Sequence, residues 1–99
     1  MRPIGTHNYY VYILTNLRKA VLYTGVTDDL GKRVYEHRHS EKSFTARYQC
    51  FYLVYYERFQ YIEHAIAREK EIKGWTRKKK DKLISDFNPE WRFLDPERD

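Results

Sequence analysis

Two short tyrosine blocks, Tyr10-Val11-Tyr12 and Tyr23-Thr24-Gly25, are followed at fixed distance by Arg33 and His37. These are the residue types with which a phosphodiester can be cleaved. A phenol can hold or deprotonate a water, a guanidinium can neutralise phosphate oxygens, and an imidazole can move protons near neutral pH. Their concentration in the first half of a small basic chain points to nucleic-acid chemistry.

The elements that must position them are legible. Tyr9 to Asn16 alternates bulky and β-branched residues, as a strand does, and Val21 to Val26 reads as a second strand. Four connecting residues, Leu17 to Ala20, make a β-hairpin the economical reading, in which Tyr12 can lie near Tyr23. Gly25 permits a close approach beside them. Thr27-Asp28-Asp29 supplies caps for a helix running to about His39, with Leu30 and Val34 on its buried side. Arg33 and His37, four apart, share a face at the margin of that side. Ser40 to Gln49 reads as a loop, and Phe51 to Glu57 as the third strand. Tyr61 to Lys73 carries apolar residues at helical spacing up to Gly74, and Thr76 caps a last basic helix ending before Asn88-Pro89. The order ββαβαα predicts an α+β fold, a three-stranded, largely antiparallel sheet packed against helices.

Ninety-nine residues suit one domain, residues 1–99, with its core at about 9–94 behind a polar lead at 1–8. Nineteen Lys and Arg against 14 Asp and Glu give a charge of +5, which favours an anionic partner. The single cysteine, Cys50, excludes an intramolecular disulfide, and no Cys or His pair has zinc-ligand spacing. No apolar run reaches transmembrane length and Met1-Arg2-Pro3-Ile4 begins no signal peptide, so the expectation is a cytoplasmic protein without membrane contact.

Glu69 interrupts the apolar stripe Ile62, Ala65/Ile66, Ile72. A carboxylate in such a place needs a partner, either a nearby Arg or Lys, solvent at the stripe's edge, or a cation. The run from Arg77 through Lys78, Lys79 and Lys80 to Lys82 is a cationic helix face, which is either simply solvated or in contact with phosphates. Trp75 or Tyr48, if exposed, would give bases a stacking platform. Most of the ten tyrosines must belong to the core or the sheet faces.

Taken together, these residues resemble the GIY-YIG endonuclease superfamily from roughly Tyr9 to Leu94. The likeness is greatest to its small stand-alone bacterial members, and extends to the nuclease domain of the excision-repair incision subunit. Tyr12 stands at the tyrosine of the first motif and Asn16 at the asparagine that often closes that strand. Tyr23 and Gly25 stand in the second motif, Arg33 at the catalytic arginine, His37 at the histidine one turn later, and Glu69 at the metal-binding glutamate. Asn88 corresponds to a late active-site asparagine. Tyr for Gly and Val for Ile in the first motif, and Thr for Ile in the second, remove no reactive group.

The resemblance implies an endonuclease with one divalent cation, Mg²⁺ or Mn²⁺, on Glu69, and Tyr12 taking the proton of the attacking water while Tyr23 orients it. It implies DNA as the partner, RNA not excluded, and work in DNA repair, recombination or uptake. Arg33, Thr45, Arg47, Tyr48, Lys73, Trp75 and the basic residues of the last helix are the expected nucleic-acid contacts. With no appended DNA-binding domain, low sequence selectivity and a preference for single-stranded or structured DNA are expected, unless a partner protein supplies targeting. A binding module of the same fold without catalysis is the alternative, and an interaction domain whose charge serves solubility is a third.

Overall fold

In the computed structural model, which describes residues 7–40 and 44–97, the chain forms a three-stranded antiparallel sheet between two layers of helix. The strands are β1 (Tyr9–Thr15), β2 (Leu22–Thr27) and β3 (Tyr52–Phe59), in the order β2-β1-β3. β1 is central, so both of its faces are covered, and Val11 to Thr15 are buried without a break. Alternation now decides the layer a residue faces rather than core against solvent.

Tyr12 and Leu14 pack with Leu30 and Val34 of α1 (Leu30–His39) and with Cys50, Leu53 and Leu94. On the opposite face Val11 and Ile13 pack with Ala65 and Ile72 of α3 (Ile62–Lys73) and Ile84 of α4 (Arg77–Phe87). The register slips between Ile13 and Leu14, which pair with Tyr55 and Leu53. Val54 is the extra residue of that bulge, and Val54 and Tyr55 both join the core under α3 and α4.

The hairpin forms as the sequence predicts, and its turn is held by Asn16, whose Oδ1 accepts from the backbone N–H groups of Ala20 (2.8 Å) and Val21 (3.2 Å). Asp29 caps α1 by accepting from the N–H of Lys32, and Thr76 caps α4 by accepting from that of Lys79. The reading of Ser40 to Gln49 as a loop is corrected. Phe44–Tyr48 is a short helix, α2, so the order is ββααβαα, and residues 41–43 of that stretch lie outside the described residues, as do residues 1–6 of the polar lead. A five-residue helix is too short to print a periodicity, and tertiary contact holds it: Thr45 is buried against α1.

The apolar stripe of α3 is also narrower than predicted. Ile62 and Ile66 are exposed at 38% each, and the inward face runs Ala65, Arg68/Glu69, Ile72. Glu69 therefore lies on the inward face and not at its edge.

Asn88, expected in the active site, closes α4 instead. Its Nδ2 donates to the carbonyls of Val54 (3.1 Å) and Arg92 (2.9 Å), and its Oδ1 accepts from the N–H of Arg92 (3.0 Å). With both ends of the amide so engaged, Asn88 has a structural assignment. Replacing it with Ala leaves buried backbone groups unmatched, and we expect a loss of about 2–3 kcal/mol, or roughly 10–20 °C in melting temperature, measured by thermal denaturation.

Candidate active site

The site is built around Tyr12. On β2 its partner is Gly25, and the tyrosine ring lies across that glycine: a Cβ there would stand 2.4 Å from the Tyr12 hydroxyl and 2.5 Å from Cζ. Gly25 is thus required for close approach. Because β2 is an outer strand, a ring laid across it carries its hydroxyl to the edge of the sheet, where helices of both layers can reach. α1 brings Arg33 and His37 to that edge from one layer. Glu69 comes from α3 in the other, which packs on β1 and β2, and its charge contributes to raising the Tyr12 pKa.

The Tyr12 hydroxyl lies 2.8 Å from His37 Nε2 and accepts from Arg33 Nε at 3.4 Å, while His37 Nδ1 is 2.8 Å from Thr45 Oγ1. Among the described residues the Tyr12 O–H has no other acceptor, so the donors run in one direction. Arg33 donates to Tyr12, Tyr12 to His37 Nε2, and His37 Nδ1–H to Thr45. Burial, followed by the positive charge of Arg33, pushes the His37 pKa down to about 4, so the imidazole is neutral at pH 7, as this chain of bonds demands. Burial, with Tyr23 and Glu69 adding to it against the opposing influence of Arg33, pushes the Tyr12 phenol up to about 12. Arg33 is raised, chiefly by its bond to Tyr12.

Tyr23 stacks edge-on against His37, ring centroids 5.1 Å apart, and 6.3 Å from Tyr12. It is the phenol that lines a cleft of about 340 Å³ together with Arg33, Glu36, His37, Ser40, Phe44 and Thr45. Tyr12 has no exposed surface. The two phenols therefore sit at different depths, Tyr23 at the cleft wall and Tyr12 sealed behind it. The Glu69 side chain is 15% exposed and pairs with Lys73 Nζ at 3.1 Å, one turn along α3. The Arg or Lys partner that the sequence allowed is thus present.

Several expected nucleic-acid contacts have other positions. Thr45 lines the cleft but is 1% exposed, and its hydroxyl bonds the His37 ring. Arg77 is occupied in tying α4 to the hairpin, donating to the carbonyls of Ala20 (2.7 Å) and Lys19 (2.8 Å) and to Asp81 Oδ1 (2.7 Å). Trp75 is half-buried and packs on the core, with Arg68 5.1 Å and Lys79 4.3 Å from its ring centroid. Arg47, Tyr48, Lys73, Lys78 and Lys79 are exposed and Lys80 is half-buried. The sequence reading missed Phe44, which stands 48% exposed at the cleft. Its only signal was a large aromatic within a polar stretch.

Comparison with known proteins bears on this arrangement. Residues 8–82 match the GIY-YIG catalytic domain. A UPF0213 protein of Bacillus pumilus is 36% identical over 85 residues, 85% of this chain and 86% of the relative. One from Natronomonas pharaonis is 39% identical over 80 residues, covering 80% and 93%. The solution NMR structure of a UPF0213 protein from Bacillus halodurans superposes with a TM-score of 0.56 at 33% identity, covering 85% of this chain and 89% of that one.

Gly25→Ala should force the Tyr12 ring off its bed and cost about 1–3 kcal/mol in chemical denaturation, with the bond to His37 broken. His37 also gives stability a pH signature. Its pKa is about 4 folded against 6.5 unfolded, so its contribution is complete above 6.5 and is lost as pH falls toward 4. The unaltered protein should therefore lose up to about 3 kcal/mol more over that window than His37→Gln, as followed by urea denaturation at each pH.

Proposed function

This chain belongs to the GIY-YIG family of nuclease domains, and on that basis we propose that it is a divalent-metal-dependent endonuclease that hydrolyses phosphodiester bonds in DNA, single-stranded or structured DNA above all. The observation that carries the reading is the meeting of two phenols, a guanidinium and an imidazole at one sheet edge, with the Glu69 carboxylate close enough for its charge to act on Tyr12.

A single Mg²⁺ or Mn²⁺ fits the residues present. Glu69 is a mostly shielded carboxylate whose partner, Lys73, is half-exposed and free to swing into solvent. Among the described residues no group of three His, Cys, Asp or Glu gathers to hold a metal, so Glu69 would be its one side-chain ligand. That suits an ion which keeps several waters and takes phosphate oxygens for the rest. Bound there, it would supply Lewis-acid neutralisation of the developing phosphate charge.

The chain's own residues divide the remaining work. Arg33, half-exposed at the cleft, neutralises a phosphate oxygen of the strand being cut. Tyr23, at the cleft wall, meets the attacking water. Tyr12 stays a phenol at neutral pH, donating its hydrogen bond to His37 Nε2 and accepting from Arg33. It therefore serves to hold Arg33, and the proton of the attacking water falls to Tyr23 rather than to the Tyr12 expected from sequence. The exposed Lys78 and Lys79 extend a positive surface for the backbone.

A second reading, a nucleic-acid-binding module without catalysis, draws on the Glu69–Lys73 pair, which satisfies the carboxylate without a cation. Cleavage assays on matched single-stranded, duplex and branched DNA separate the two. The nuclease reading expects cutting that needs Mg²⁺ or Mn²⁺, is abolished by Glu69→Ala, and falls about 10²–10³-fold with Arg33→Ala. Tyr23→Phe should slow turnover more than Tyr12→Phe. DNA binding without any metal-dependent cutting would establish the second reading instead.

A further inference from the structure

We propose that the cleft beside Arg33 is a nucleobase pocket, which takes one unpaired base of single-stranded DNA next to the phosphate being cut. The proposal rests on the nuclease reading for its position and names what that site selects.

Three observations lead to it. Phe44 and Tyr48, 48% and 40% exposed, stand on α2 with ring centroids 4.6 Å apart, and Phe44 belongs to neither core cluster. Other aromatics of this chain are as exposed, but Phe44 is the one that lines the cleft, with Tyr48 beside it. The Phe44 ring also lies 5.9 Å from Tyr23 at an interplanar angle of 32°, which makes the two an aromatic wall leading down to His37. Finally, the cleft holds about 340 Å³, at the lower end of the roughly 300–1,000 Å³ typical of small-molecule sites, which is room for a single base with part of its sugar.

The polar groups sit where such an occupant would need them. Arg33 lines the cleft, where it can meet the adjoining phosphate, and Arg47, 5.5 Å from the Tyr48 ring centroid, supplies a second cation at α2. Glu36 lines the cleft as well, paired with Arg33 at 3.6 Å, and can accept from an exocyclic amine. The pocket discriminates by pairing state. A base inside a duplex is stacked on both faces and cannot present one to Phe44 unless it is extruded at a cost of a few kcal/mol. Every base has a face to stack, so the pocket favours single strands while tolerating sequence.

The test uses the full chain carrying Glu69→Ala, so that binding is read without cutting, and single-stranded oligonucleotides with 2-aminopurine placed at successive positions. One register should show strong fluorescence quenching on binding. Quenching should be lost with Phe44→Ala and kept with Phe44→Trp. An abasic site at that register should weaken binding about fivefold or more to protein with Phe44 intact, while abasic sites elsewhere change it little. The absence of a quenched register, or equal affinity for every abasic strand, would overturn the pocket. Quenching at one register with no metal-dependent cutting by the unaltered protein would leave the pocket standing and remove the nuclease reading.

Discussion

The Tyr12 hydroxyl is the atom on which the arrangement depends. It lies over a glycine of the neighbouring strand, within hydrogen-bond reach of His37 and Arg33, and in the electrostatic range of a carboxylate from the opposite layer. Each of these relations constrains the others. A side chain at residue 25 would displace the ring, a displaced ring would orphan the buried His37 nitrogen, and an unanchored Arg33 would lose its place at the cleft. The cost of burying a phenol and an imidazole together is offset by a chain of bonds that includes Thr45.

This explains why the site occupies an edge. A central strand covered on both faces gives a tyrosine no route to substrate. By leaning over a glycine of the outer strand, Tyr12 brings its hydroxyl within reach of His37 and Arg33, while its ring stays in the core and Tyr23 takes the cleft wall. One side chain thus joins packing and chemistry, so substitutions there will disturb both. Tyr23, next along the same face of the hairpin, is the more separable of the pair because it is only partly buried.

Much of this was legible in the sequence because it is local. Strand alternation, the Asp29 and Thr76 caps and the four-residue spacing of Arg33 and His37 are short-range signals, and the structure brings Tyr12, Tyr23, Arg33 and His37 together. What the sequence did not disclose depends on distant contacts. Thr45 looked like a surface hydroxyl until α2 folded it onto His37, and Arg77 looked like one more cation of a basic run until it met carbonyls of the hairpin turn nearly sixty positions away. Asn88 likewise had a motif's position but a structural amide's bonding. Phe44 was hidden for the opposite reason: it makes few commitments, and a pattern search for cores or motifs passes over such residues.

The return of the chain past α4 has an effect beyond the active centre. Leu94 N–H donates to the carbonyl of Leu53 at 2.8 Å, an isolated antiparallel bridge on the outer side of β3. β3 is an outer strand, so the alternate backbone groups that do not face β1 would otherwise be open there. That bridge pairs one position of an outer strand, the kind of backbone row to which another strand could otherwise be added.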